Sequence, residues 1–254
     1  MHQFNSTTFI NVSFTIVHSS LTEIVANLIK GSTVVDPDAN VEKNLIDPYA
    51  AALESVLSGY ATQKEWELAD FRRRNQKTMM NHLGDAQQRI IGTLPGWTSH
   101  RSGTGKPDVV GIRGDQRIIA EVKNKHNTMN YNSSRETYDE LTKHLDSSEF
   151  RGFTAAVVTL ISPAKAPLVR HFAPGGKPVR DDVLIMSGRV FYAFATDPNL
   201  RTPSVSLAES QNIPSWASWT AIDAMSEAFF TEIEQQTGLT VPAWARALTK
   251  QAFN

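Results

Sequence analysis

Residues 106–125, reading KPDVVGIRGDQRIIAEVKNK, constrain the fold more than any other stretch of the chain. Val109, Val110 and Ile112 form a β-rich run, Gly114 and Asp115 carry turn chemistry, and Ile118 to Val122 form a second run. Together they predict a β-hairpin. Alternate side chains of a strand share a face, so Ile119, Glu121 and Lys123 point one way while Ala120 and Val122 point the other. Two charged groups inside an apolar strand are costly to bury without partners, which places them at a cleft or in a pair. Asp108 opens the preceding strand, and hairpin pairing brings its carboxylate toward Glu121 on the same edge of the sheet.

Two carboxylates converging beside an ammonium outline a divalent-metal site. Hard oxygen donors suit Mg²⁺, which is usually held by one or two carboxylates together with waters and substrate phosphate. A lysine beside such a site steers an attacking water or neutralises charge on a pentavalent phosphorus. The plainer alternative is that Glu121 and Lys123 form an ion pair and nothing more.

Composition narrows the class without choosing it. The 254 residues show no internal repeat and no break in composition, so a single domain over residues 1–254 is expected. No apolar run approaches the roughly 18 residues of a membrane span. The start of the chain lacks a basic region followed by an apolar core, and a cytoplasmic protein is the expectation. With no cysteine, disulfides and thiolate metal sites are excluded. A net charge of −1 says little about nucleic acid, but its distribution says more. Residues 202–245 hold five acids (Glu209, Asp223, Glu227, Glu232 and Glu234) and no Lys or Arg, so the rest of the chain carries +4. A mildly basic body is compatible with a DNA cleft.

In chain order, residues 1–17 read as strand or irregular. Ser20 to Glu23 form a capping box ahead of a helix closed by Gly31, and residues 33–43 are turn-rich. Asp47-Pro48 predicts a helix start, with Tyr49, Leu53, Val56, Leu57 and Tyr60 as its apolar face. Thr62 to Glu65 form another capping box, opening a helix to about Leu83; Gly84 interrupts it and Asp85 caps a further one through Ile91. After the hairpin, a helix is expected from Ser133, a central strand over Phe153–Ile161, a long loop over Lys165–Arg180, a short strand at Val183–Met186 and a helix over Arg189–Thr196. A last helix, Ser215 to Gln236, carries the stripe Trp216, Trp219, Ile222, Met225, Phe229 and Ile233.

The Pro107-Asp108 … Glu121-Val122-Lys123 spacing matches the signature of the PD-(D/E)XK nuclease superfamily, and the local sequence resembles type II restriction endonucleases. Three further runs resemble the family cutting GGNCC or GGWCC: Arg74–Thr78 leading to Asn81, Gly84 and Asp85; Glu121–Asn130; and Asp182–Gly188 leading to Phe191 and Tyr192. The likeness covers about residues 60–200. It implies an α/β restriction-endonuclease-like core, a central mixed β-sheet flanked by helices, with additional N- and C-terminal helices. The helical parts are then about 20–95 and 205–254, and the catalytic core about 96–200. It also implies that Asp108, Glu121 and the backbone carbonyl of Val122 hold Mg²⁺ and that Lys123 assists the water, making Asp108, Glu121 and Lys123 the catalytic set. An upstream acid often completes such sites; Asp85 is the first choice and Glu54 the second. The implied partners are double-stranded DNA, a second copy of the chain, and a DNA methyltransferase protecting the host.

The expected DNA-contacting residues follow from charge and place. Lys125, His126, Asn127 and Asn130 sit at the hairpin mouth, and Arg101 and Lys106 precede the hairpin. Lys165, Arg170, Lys177 and Arg180, in a loop ending Asp181-Asp182, offer donors for guanine and acceptors for cytosine. Phosphate contact, a plain basic loop or Asn self-capping are the structural alternatives for these residues. Two other functions are consistent with the chain: a structure-selective or repair nuclease on the same site, and a non-catalytic DNA-binding module.

Overall fold

The computed structural model describes residues 2–4, 14–16, 18–32, 47–100, 103–125, 128–162, 168–197, 200–202, 205 and 215–252; of 2–4, 14–16, 18, 215–221 and 249–252 it describes the backbone alone. The turn-rich stretch expected over 33–43 and the side chains of Trp216 and Trp219 lie outside this set. Packing divides the chain into two compact units, residues 1–25 with 84–254 and residues 26–83.

The larger unit is built on a six-stranded mixed sheet. The strands β1 (His2–Phe4) and β2 (Phe14–Ile16) pair separately as a small antiparallel ribbon. In the main sheet β3 (Trp97–Ser99), β4 (Val109–Arg113) and β5 (Gln116–Lys125) form an antiparallel meander. Parallel to β5 lies β6 (Thr154–Ile161), and parallel to that β8 (Val183–Ser187); β7 (Val169–His171) closes the edge antiparallel to β8. The order is β3-β4-β5-β6-β8-β7. The expected hairpin is present, in register from Val109 opposite Ala120 to Arg113 opposite Gln116, and Gly114 takes the left-handed φ of 63° its turn needs.

Helices cover both faces of this sheet. On one, Ile119, Ala155, Val157 and Val183 pack against Tyr138, Leu141 and Leu145 of α4 (Tyr131–Asp146) and against Phe150, Phe153 and Phe172. On the other, Trp97 meets Phe191 and Phe194 of α5 (Gly188–Thr196) edge to face, with ring centroids 4.9 and 6.0 Å apart. The helix α6 (Ser215–Thr237) packs on α5 and is followed by α7 (Ala243–Ala252). As expected of a continuous apolar run, β6 is buried from Ala155 to Leu160.

The structure corrects four details. The helix of residues 63–91 is unbroken (α3, Gln63–Ile91, after α1, His18–Ser32, and α2, Pro48–Ser58), so Gly84 does not interrupt it and Asp85 caps nothing. A mid-helix glycine costs about 1 kcal/mol against alanine, less than tertiary packing supplies. α4 begins at Tyr131, capped by Asn130, rather than at Ser133. The Lys165–Arg180 loop contains the edge strand β7, and β3 and α7 were not foreseen. Among the described side chains of α6, Ile222 and Met225 are buried as expected, but Ala228 and Glu232 are buried next to them while Phe229 and Ile233 are only half-buried.

In the smaller unit, Asp47 caps α2 as expected, Oδ1 accepting from the backbone N–H groups of Tyr49 (2.9 Å) and Ala50 (3.2 Å). The Thr62–Glu65 capping box also forms: Glu65 N–H donates to Thr62 Oγ1 and Thr62 N–H to Glu65 Oε2.

Where β8 turns directly into α5, the backbones touch. A Cβ on Gly188 would collide with the Leu160 carbonyl oxygen. Gly188→Ala is therefore expected to destabilise the protein by about 1–3 kcal/mol in urea unfolding, since β6 and α5 must separate to admit one methyl. An unchanged midpoint would show that the junction yields freely.

Candidate active site

Backbone pairing of β4 with β5 ends at Val109 opposite Ala120. One step further the register sets Asp108 beside Glu121, on the sheet face that also carries Ile119 and Lys123. There the Asp108 side chain takes over from the ladder: Val122 N–H donates to Asp108 Oδ2 at 2.9 Å. Lys123 Nζ donates to Glu121 Oε2 at 3.1 Å. Only 14% of the Glu121 side chain and 26% of the Lys123 side chain are exposed. The three groups thus converge at the carboxyl ends of parallel strands, the usual ligand edge of an α/β sheet. The same row continues inward, because Lys123 pairs with Thr159 and Thr159 with Ser187 across β6 and β8. Both hydroxyls are buried and bonded, Thr159 Oγ1 donating to the Met186 carbonyl (3.3 Å) and Ser187 Oγ accepting from Leu168 N–H (3.2 Å).

His100 was not foreseen. It extends β3 by one residue, and its backbone N–H donates to the Asp108 carbonyl at 2.9 Å. Its ring Nδ1 lies 3.1 Å from the Pro107 carbonyl and donates to it. His100 therefore holds the two carbonyls, of Pro107 and Asp108, that flank the Asp108 side chain. No motif marks this role; it depends on β3, a three-residue strand too short for periodicity to reveal.

The electrostatics of the pair are unfavourable as it stands. Burial first, and the negative charge of Glu121 second, push the Asp108 carboxyl up to about 7; the Val122 N–H and Lys123 oppose the shift only in part. The closeness of the Glu121 carboxyl is thus part of what holds the Asp108 proton on. A divalent cation between the two carboxyl groups would offset their repulsion. The donor set fits Mg²⁺, which takes one or two carboxylates and fills its remaining positions with water. Among the described residues, no third His, Asp or Glu side chain completes a cluster of three. Asp85 lies half-buried near the end of α3. Glu54 accepts from Trp66 Nε1 (3.0 Å) and is ion-paired with Arg73.

The residues expected to touch DNA fall into three groups. Lys125 is exposed at the end of β5, Arg170 is exposed on β7, and Lys106 is exposed with Glu149 at 3.9 Å. Others hold protein groups. Asn130 caps α4, Oδ1 accepting from Ser133 N–H at 2.9 Å; Lys177 pairs with Asp139 at 2.5 Å; Arg180 pairs with Asp182 (2.9 Å) and Asp146 (3.1 Å). With Tyr138 donating to the Pro178 carbonyl and Arg135 to that of Gly175, these contacts strap residues 174–182 along α4. Arg101, His126, Asn127 and Lys165 lie outside the described residues.

A family model for the Eco47II restriction endonuclease matches residues 12–202, three quarters of the chain and all of the sheet with its paired acids. The chain belongs to the Eco47II restriction endonuclease family. It is 33% identical over 164 residues to the type II restriction enzyme Eco47II of Escherichia coli, a match covering 60% of this chain and 65% of that enzyme. To the type II restriction enzyme Sau96I of Staphylococcus aureus it is 28% identical over 99 residues, 39% of this chain and 36% of that one. The chain therefore matches just under two thirds of the first relative's length and about a third of the second's.

The raised Asp108 carboxyl has a direct consequence in this family member when metal is withheld. Its folded-state value lies above its unfolded one, so the stability it contributes is present below about pH 4 and lost as pH rises through about 7. Asp108→Asn keeps an acceptor for Val122 N–H without the charge. In EDTA at pH 8 it is expected to be more stable than the parent by about 1–3 kcal/mol, a gain that shrinks toward pH 5. A variant less stable than the parent at pH 8 would contradict this.

Proposed function

We propose that the chain is a type II site-specific restriction endonuclease that hydrolyses double-stranded DNA with Mg²⁺ at a short G·C-rich palindrome of the GGNCC/GGWCC kind. The observation carrying this reading is the convergence of Asp108, Glu121 and Lys123 at one sheet edge, in a chain of the Eco47II family. Asp108, Glu121 and the Val122 carbonyl would hold the ion, with Asp85 the first choice for a further acid. Bound there, Mg²⁺ supplies positive charge against the phosphate as it gains a fifth oxygen.

The chain's own groups do the rest. The Val122 N–H fixes one oxygen of Asp108 and so the direction in which the carboxylate faces. Glu121 pairs with Lys123 and aims it at the sheet edge. From there Nζ orients the attacking water and offsets charge on the scissile phosphate. Water attacks phosphorus, the bond to the 3′ oxygen breaks, and 5′-phosphate and 3′-hydroxyl ends result. Lys106, Lys125 and Arg170, exposed cations, serve as backbone or base contacts, together with Arg101, His126, Asn127 and Lys165. The ion pairs of Lys177 and Arg180 favour a role in holding the strap, and Asn130 serves as a cap.

Cutting both strands of a palindrome calls for two centres related by the duplex two-fold, and each chain carries one signature, so the working form is a homodimer. Such an enzyme acts in the cytoplasm beside a DNA methyltransferase that protects the host's own sites.

Plasmid incubated with Mg²⁺ should give discrete bands whose sequenced ends fall within G·C-rich palindromes. Asp108→Ala and Glu121→Ala should each lower cleavage by about a thousandfold or more while DNA binding stays measurable. Cutting that persists in EDTA would overturn the metal reading, a smear or preference for branched substrates would favour a structure-selective nuclease, and no cleavage would favour a binding module.

A further inference from the structure

The helix α2 faces the wrong way for a chain that acts alone. Tyr49, Leu53, Val56 and Leu57 are spaced i, i+4, i+7 and i+8, which puts them on one face, and they are 86, 62, 80 and 76% exposed. No residue of α2 is buried. The opposite side, with Ala51, Glu54 and Ser55, is the half-buried one. Glu54 anchors it there, accepting from Trp66 Nε1 and pairing with Arg73 of α3. Single exposed apolar residues are ordinary, whereas a continuous stripe of four marks an interaction surface.

We propose that this stripe docks on the same stripe of a second copy of the chain across a two-fold axis. The proposal rests on the reading above, in which two centres act on one duplex, and it names the surface that pairs them. Three properties favour a second copy as the occupant. A two-fold contact sets a patch against itself, so any charge in it would meet its like; the exposed residues Tyr49, Ala50, Ala52, Leu53, Val56, Leu57 and Ser58 carry none. Four side chains at this exposure present about 500 Å² per copy, or about 1,000 Å² for the pair, which reaches the lower bound of a specific interface. The helix is also preformed, with Asp47 capping its start and Gly59, at a φ of 72°, its end, so docking orders little that is not already ordered. The alternation of four- and three-residue steps is the one by which neighbouring helices interlock.

Sedimentation equilibrium of the full chain, without DNA or metal, tests this. The parent is expected at twice its 28.1 kDa. Leu53→Glu and Leu53→Lys, made separately, should each raise the dimer dissociation constant about a hundredfold or more, because like charges then meet near the axis. At a dilution where the parent too is monomeric, their melting curves should match the parent's, since the position is exposed. An equimolar mixture of the two should recover the dimer. Variants that stay dimeric, or a parent that is monomeric without DNA, would overturn this surface while leaving the paired-centre reading intact, and a parent that stays monomeric on a cognate duplex as well would overturn both. Variants that melt early at that dilution would show that the chain's own residues cover the stripe, and would also overturn the proposal. Loss of cleavage in the Asp108 and Glu121 variants is a separate readout, so failure of the nuclease reading is distinguishable from failure of this one.

Discussion

Everything at the sheet edge depends on one unfavourable contact, the approach of two carboxyl groups in a partly buried place. Left in water, Asp108 and Glu121 would both ionise and repel at small cost. Set by strand register on one face and partly buried, they meet at close range, and burial together with the Glu121 charge pushes the Asp108 carboxyl up to about 7. In the function proposed above, a cation bound between them gives such a pair its use. The rest of the sheet is consistent with that purpose. Backbone pairing stops one residue short so that the Asp108 side chain replaces a ladder acceptor, and His100 braces the peptide from the other side.

The hairpin and the site's outline were legible in the sequence because they depend on local rules. Alternation assigns faces, Gly114-Asp115 fixes the turn, and the turn fixes the register that joins Asp108 to Glu121. The continuous apolar run of β6 likewise declared a covered central strand. What could not be read is what tertiary contact decides. The three-residue strands β3 and β7 are too short for periodicity, and each exists because a neighbouring strand offers its edge. The continuity of α3 through Gly84 is a tertiary override of a weak local penalty. His100 could not be found without β3.

Charge was the least reliable guide. Lys177 and Arg180 drew notice as donors for bases, yet carboxylates of α4 and of the strap itself hold both. Sequence reports the sign of a side chain but not which partner reaches it first. The same holds for α2, whose apolar stripe reads as an ordinary core-facing helix. The pull of Trp66 and Arg73 on Glu54 turns that stripe outward.

The central proposal is that a divalent ion binds at Asp108 and Glu121 and displaces the proton that Asp108 holds below about pH 7. Calorimetric titration of the DNA-free protein with Mg²⁺, repeated in buffers of different ionisation enthalpy, counts the protons released. The account expects close to one proton per ion at pH 6, falling toward none at pH 8, with apparent affinity weakening about tenfold per pH unit below 7. It expects Asp108→Ala to abolish the binding heat. Binding that releases no proton at pH 6, or that survives Asp108→Ala unchanged, would contradict it.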